Sequence, residues 1–232
     1  MTFSERILQA NDQFNADQWE LPQGIRALNP FEGEQAHLVR EINRSFYQKF
    51  YHDSEPRKLI LGINPGRLGA GATGVPFTDT KNMEEYCGIS SGPLKSHEPS
   101  SVFMYKMIEA YGGAETFYQD VFIHSVCPLG FVKSKPNGNE VNYNYYDDKE
   151  LQSSVLPYIT EWLKELSTWP IDTRRVYCLG SGKNLKFLKS WNLEHKVFGD
   201  IVPLDHPRYV IQYKARSIDA YIDKYLKSLS AS

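Results

Sequence analysis

Asn64 and His206 sit in matching settings. The run Leu59-Ile60-Leu61-Gly62-Ile63-Asn64-Pro65-Gly66 is apolar and stops at an amide followed by proline. Ile201-Val202-Pro203-Leu204-Asp205-His206-Pro207 stops in the same way at an imidazole. Each reads as a buried strand that ends in a tight turn and presents one polar side chain at the carboxyl end of a sheet. In open α/β sheets, ligands lie beyond those ends, so Asn64 and His206 could face each other across one pocket. The small-residue loop after Asn64 runs through Thr73-Gly74-Val75-Pro76 to Phe77, which would bring a flat ring to the same place. A third apolar run, Val121-Phe122-Ile123, ends in His124-Ser125-Val126-Cys127-Pro128-Leu129. Taken singly these motifs are ordinary. Asn-Pro-Gly is a common turn, His-Pro at a strand end is usually structural, and Phe77 alone suits a core.

The elements that would carry these residues follow from periodicity. Strands are expected at Lys58–Ile63, Asp120–Ser125, Arg175–Leu179 and Asp200–Leu204. Helical spacing predicts helices over 4–20, 34–50, 100–112, 147–167 and 183–191, and a last one after a Ser217 cap. Residues 64–96 read as a long loop, as does the Pro-Asn-Gly-Asn stretch at 136–139. Short apolar strands alternating with helices predict an α/β fold: a three-layer α/β/α sandwich around a mostly parallel four-stranded sheet. The chain reads as one domain over 1–232, with residues 1–50 as a helical arm packed on it.

Composition narrows the function. A formal charge of −2 over 232 residues means that any nucleic-acid face must be a local basic patch. Cys87, Cys127 and Cys178 are odd in number and lack C-x-x-C spacing, which argues for buried reduced thiols rather than a disulfide, zinc or iron–sulfur site. No apolar run reaches the length of a membrane span and no signal segment opens the chain, so a cytoplasmic protein is expected. Gly180-Ser181-Gly182-Lys183 lacks full phosphate-loop spacing. The Tyr143–Tyr146 cluster reads as packing, although Lys133 and Lys135 nearby would suit a single-stranded nucleic-acid face. Asp79 reads as a helix cap, and Asp205 as an orienting or solvated group.

Together the motifs are far more specific. Gly62-Ile63-Asn64-Pro65-Gly66 with Thr73-Gly74-Val75-Pro76-Phe77, then His124-Ser125-Val126-Cys127-Pro128-Leu129, then His206-Pro207, resemble in order and spacing the uracil-DNA glycosylase superfamily. The closest resemblance is to its single-strand-selective monofunctional branch, over about residues 55–230. It implies a monofunctional DNA glycosylase of base excision repair, acting as a monomer on single- or double-stranded DNA with deaminated bases, without cofactor or metal and away from membranes. Asn64 would hold the attacking water and His206 would stabilise the leaving base. Phe77 would stack on that base, while Ile63, Gly66 and Ser125 contact it. Arg67, Pro207, Arg208 and Tyr209 would meet DNA.

Two departures stand out. Ser125 replaces an asparagine that pairs with the base edge, which widens the expected substrates to hypoxanthine and xanthine. Arg208 and Tyr209 replace the family's usual phosphate contact and duplex wedge. The competing readings are a mismatch-directed uracil/thymine glycosylase, whose branch carries Asn-Pro where His206-Pro207 stands, and a non-catalytic lesion- or nucleotide-binding module.

Overall fold

A computed structural model describes residues 1–17 and 19–230. The elements run α1 (Phe3–Gln13), β1 (Ile25–Leu28), α2 (Ala36–Phe50), β2 (Arg57–Gly62), α3 (Ala70–Thr73), α4 (Thr80–Cys87), α5 (Pro99–Tyr111), α6 (Gly113–Asp120) and β3 (Val121–Ser125). They continue with β4 (Gly130–Ser134), β5 (Glu140–Tyr143), α7 (Lys149–Leu166), β6 (Ile171–Leu179), α8 (Lys183–His195), β7 (Asp200–Leu204), α9 (Pro207–Tyr213) and α10 (Ile218–Ser230).

The four expected strands form one all-parallel sheet in the order β3-β2-β6-β7. Leu59, Ile60 and Leu61 are fully buried, as a strand covered on both faces requires. Main-chain bonds carry the β2–β3 pairing past the sheet: Val126 N–H donates to Gly62 O at 3.0 Å and Cys127 N–H to Ile63 O at 3.1 Å. The chain is therefore still fixed where Asn64 leaves β2.

A second sheet lies outside the expected elements. β1, β4 and β5 form an antiparallel sheet of order β1-β4-β5, with Ile25 opposite Lys133 and Phe131 opposite Tyr143. The Pro-Asn-Gly-Asn stretch is the turn of its β4–β5 hairpin. Residues 1–50 thus hold a strand as well as two helices. They share the core: the Phe3 ring lies 4.7 Å from Phe122 and 5.7 Å from Trp169. Buried Arg57, at the start of β2, ties this region down. Its guanidinium bonds both Asp53 oxygens at 2.8 and 3.0 Å and lies over the rings of Phe3 and Tyr51.

The first helix stops at Gln13, not at 20, because Phe14 turns extended and packs edge-on against Trp162. The expected loop at 64–96 contains α3 and α4. Asp79 caps α4 through Asn82 N–H at 3.0 Å, and Gly88 closes that helix in the left-handed region. Among the described residues, no helix is long and apolar enough to cross a membrane.

Candidate active site

One cavity of about 710 Å³ opens beyond the carboxyl ends of the parallel strands. Ile63, Asn64, Gly66, Arg67, Phe77, Ser125, His206, Arg208 and Tyr209 all line it. The sequence order of the motifs scatters these residues over some 140 positions, and the sheet gathers them at one end. Pro207 is the exception among the expected residues. It is buried as the first residue of α9, where its missing N–H leaves no helix bond unmade, so it shapes the site from behind rather than lining it.

Asn64 is locked. Tyr145 N–H donates to its Oδ1 at 3.1 Å, and its Nδ2 lies 3.3 Å from the carbonyls of both Pro65 and Tyr143. These partners fix which end of the amide is oxygen. Oδ1 keeps a second lone pair for a bound molecule. Tyr143 and Tyr145, of the cluster read as packing or as part of a single-stranded nucleic-acid face, thus orient Asn64 together with Pro65, and Tyr146 itself lines the cavity.

His206 caps α9. Its Nδ1 accepts from Arg208 N–H at 3.2 Å, so the proton of the neutral ring sits on Nε2. Burial first, and the Arg208 charge second, depress its pKa to about 4. At neutral pH the ring is an uncharged donor. The Phe77 ring lies with its centroid 6.0 Å from the imidazole. Phe77 has a φ of +54°, a left-handed conformation that bulky residues rarely adopt, and such strain is held only where surrounding packing enforces it. Its ring also rests on Gly62, where an added Cβ would lie 3.3 Å from ring carbon Cε2.

Ser125 ends β3. Trp162 Nε1 donates to its carbonyl at 3.1 Å, and among the described residues its hydroxyl has no partner. The side chain faces the cavity with its hydrogen-bonding capacity intact.

Several lining residues carry no signal in the sequence: Glu98, Ser100, Asn142 and Gln212. Asn142 Oδ1 accepts from Arg67 N–H at 3.1 Å and so shapes the loop after Asn64. Asn184, also in the cavity wall, acts as a staple: buried, its Oδ1 accepts from the Tyr145 hydroxyl at 2.7 Å and its Nδ2 lies 3.3 Å from Gly62 O. Lys183 does line the cavity, with its ammonium 3.6 Å from Asp147. Asp205 pairs with Lys224 on α10, away from the pocket.

His124, buried beneath the site, is also pushed down to about 4 by burial. Both histidines are neutral when folded but would protonate near 6.5 when unfolded. Between pH 6.5 and about 4 the unfolded chain binds more protons, so stability falls as pH falls through that window. A thermal-unfolding series is expected to show this decline, and the NMR titration of His206 is expected to have its midpoint near pH 4. A His206 midpoint at 6.5 would contradict the half-buried, neutral donor.

Comparison with known proteins bears on family and fold. The family model of the uracil DNA glycosylase superfamily matches residues 48–230. The single-strand selective monofunctional uracil DNA glycosylase of Bos taurus is 27% identical over 157 residues, covering 60% of this chain and 54% of the relative. Its Rattus norvegicus counterpart is 25% identical over 156 residues, covering 60% and 53%. This chain thus spans about half the length of those relatives. The crystal structure of wild-type Pedobacter heparinus SMUG2 superposes with a TM-score of 0.96 at 47% identity, covering 100% of this chain and 98% of that one. With the family model matching most of its length and a solved structure superposing over all of it, the chain belongs to the uracil-DNA glycosylase superfamily.

Proposed function

We propose that this protein is a monofunctional DNA glycosylase that hydrolyses the N-glycosidic bond of uracil, and also that of hypoxanthine and xanthine, in the DNA of a base-excision pathway. The observation that carries the reading is the pairing of a locked amide, Asn64, with a neutral Nε2–H donor, His206, in one cavity beside the strained Phe77 ring.

The chemistry follows from those groups. Breaking the bond leaves positive charge on the sugar and negative charge on the base, as in other glycoside hydrolyses. The His206 Nε2–H would donate to the base carbonyl as its oxygen gains charge, and a preorganised donor is worth most at that moment. Asn64 Oδ1 would accept a hydrogen from the water that attacks the anomeric carbon. An amide does not titrate, so it positions water rather than taking a proton, and the rate comes from placement and anion stabilisation. The target base must leave the stack to reach Phe77. Arg67, Arg208 and Tyr209 on the rim would hold the strand. No step calls for a metal.

The test is a panel of oligonucleotides, single- and double-stranded, each carrying one deaminated base and scored for abasic sites. Uracil release, with slower release of a purine lesion, is expected. Retention of the oligonucleotide with every sugar–base bond intact would make the protein a binder, and release confined to mismatched thymine or uracil would place it with mismatch-directed enzymes.

Ser125 sets the expected breadth. A hydroxyl offers one rotating donor and acceptor, whereas an asparagine offers a fixed pair. A site with a smaller fixed inventory leaves fewer groups unpaired by the wrong base and rejects it less. Ser125→Asn is expected to shift the single-turnover rate ratio toward uracil about tenfold, or about 1.4 kcal/mol, within the range of one buried hydrogen bond. A small void of about 20 Å³ bordered by Pro65, Ala70, Pro76, His124 and Ser125 gives the longer side chain room. An unchanged uracil-to-xanthine ratio would put selectivity elsewhere, first in the Gly66–Phe77 loop.

A further inference from the structure

Among the described residues Glu98 is the one carboxyl in the cavity wall, and base release as proposed does not use it. Its main chain is fixed. Its N–H donates to Asp79 Oδ2 at 3.0 Å, and its carbonyl accepts from Ser101 N–H at 3.0 Å and Ser101 Oγ at 2.6 Å. The side chain lies beneath the loop that follows Asn64. A Cβ on Gly69 would fall 2.2 Å from Oε2, 2.4 Å from the carboxyl carbon and 2.7 Å from Oε1, so the carboxyl rests directly on the Gly69 backbone. Oε2 is buried and, among the described residues, meets no hydrogen-bond partner. Arg208 and Ser100 share the same cavity.

The surroundings decide the charge. Asp79, the N-cap of α4, is buried and meets N–H donors on both oxygens: Asn82 N–H at 3.0 Å and Asn82 Nδ2 at 2.8 Å on one, Glu98 N–H at 3.0 Å on the other, where Ser101 Oγ, its one hydrogen shared with the Glu98 carbonyl, lies at 3.1 Å. His97, beside it, lies 3.4 Å from Asp79 Oδ2. Glu98 faces Asp79 with an oxygen that, among the described residues, no donor reaches. From α9 the Arg208 charge acts on it, and among the described residues the two form no ion pair within 4.0 Å. The Gly69 backbone brings no titratable group, and Arg67 of that loop is exposed at the rim. A half-buried carboxyl with one oxygen enclosed and unpartnered neutralises rather than remaining an unpaired anion. Burial, with Asp79 adding to it and Arg208 opposing, raises its pKa to about 8.

We propose that Glu98 is carried as a neutral acid and donates its hydrogen from Oε1, the oxygen left open to the cavity, to a phosphodiester oxygen of the bound strand, between Arg208 and the first turn of α5. The assignment rests on the reading that this cavity takes DNA. Phosphate is favoured over base as the partner because Glu98 shares its wall with a guanidinium and with the start of a 13-residue helix, both of which attract anions. The base-facing groups Asn64, Ser125 and His206 instead come from the carboxyl ends of β2, β3 and β7. An ionised Glu98 would repel the phosphate that a neutral one holds. The strand therefore binds the protonated protein, and its apparent affinity scales with the protonated fraction.

The experiment is fluorescence anisotropy at fixed ionic strength from pH 6.5 to 9.5. The probe is a single-stranded oligonucleotide with one tetrahydrofuran abasic-site analogue, which the protein cannot cleave. Wild-type affinity is expected to fall about tenfold from pH 7 to 9, because about a tenth of the acid remains one unit above a pKa of about 8. Glu98→Ala is expected to bind about tenfold more weakly at pH 7. Glu98→Gln keeps a donor without an acidic proton, so it is expected to restore binding at pH 7 and to lose the alkaline decline. Equal alkaline slopes in wild type and Glu98→Gln would overturn the proposal, as would Glu98→Ala binding like wild type at pH 7. Should either variant fail to fold, carbon-detected NMR of the wild-type Glu98 carboxyl decides: a midpoint near 8 supports the proposal and one near 4.5 removes it. A wild type that releases uracil yet shows no alkaline decline loses only this proposal, whereas one that binds no oligonucleotide loses the glycosylase reading as well.

Discussion

His206→Ala is expected to slow single-turnover release of uracil by about 10²-fold or more while leaving binding of an abasic-analogue oligonucleotide largely intact. That is the size of losing one preorganised donor to a developing oxyanion, about 2.7 kcal/mol of barrier. The geometry makes the donor specific. Arg208 N–H occupies Nδ1, so the imidazole has a single proton to offer, on Nε2. Its low pKa keeps the ring neutral at working pH, so it does not form a ground-state ion pair that would bind substrate and transition state alike. The side chain also caps α9, and losing a cap costs about 1 kcal/mol of stability, a separate effect that a thermal melt will report. His206→Asn separates the two roles. Asparagine is a good N-cap but is too short to carry a donor to the place of Nε2. It is expected to melt close to wild type and still release base about as slowly as the alanine variant. Wild-type rates in His206→Asn would show that the cap, and not the donor, is what the site needs.

The parts of this arrangement that arise from local pattern are legible in the sequence. The parallel strands are apolar runs, although β7, at the sheet's edge, is only partly covered and not the buried strand its apolar run suggests. A polar residue ends β3 and stands two residues past β2 (Asn64) and β7 (His206), so the sheet and the residues at its rim can be placed together. What holds those residues cannot. Asn64 is oriented by Tyr143 and Tyr145, some eighty positions later, through main-chain groups that carry no side-chain signature. The β1-β4-β5 sheet is hidden for a related reason. Ile25 pairs with Lys133 across more than a hundred residues, and these four- and five-residue strands are too short to show a period of their own. α4 has a readable cap in Asp79 and a readable stop at Gly88, but weak apolar spacing between them makes the stretch look like loop. Glu98 lies in a Glu-Pro-Ser-Ser sequence that would suit any exposed helix start. Its burial follows only from the Gly69 backbone passing over it.

Asn64→Ala is expected to lower single-turnover release by about 10²-fold or more, again with substrate binding largely kept, because placing a nucleophile within attacking distance is worth several kcal/mol of barrier. The amide is held on three sides, by Tyr145 N–H at 3.1 Å and by the Tyr143 and Pro65 carbonyls at 3.3 Å, so it cannot swing away from the position it gives the water. Removing it also releases the exit of β5, for which a stability loss of about 1 kcal/mol is expected. That loss is far too small to account for a hundredfold rate effect in a folded enzyme. Asn64→Asp sharpens the test. A carboxylate keeps an oxygen for the water and could take its proton, so a site built for general-base catalysis would tolerate the change or gain from it. Here the second oxygen would replace Nδ2 and face two carbonyl oxygens, with no hydrogen to offer either. The expected result is therefore slow release in both variants, with the aspartate variant also melting at a lower temperature than wild type. If Asn64→Asp instead matched wild type and showed a new acidic limb near the ordinary aspartate pKa of about 4, the site would be one that accepts a base, and water positioning by a fixed amide would no longer explain its rate.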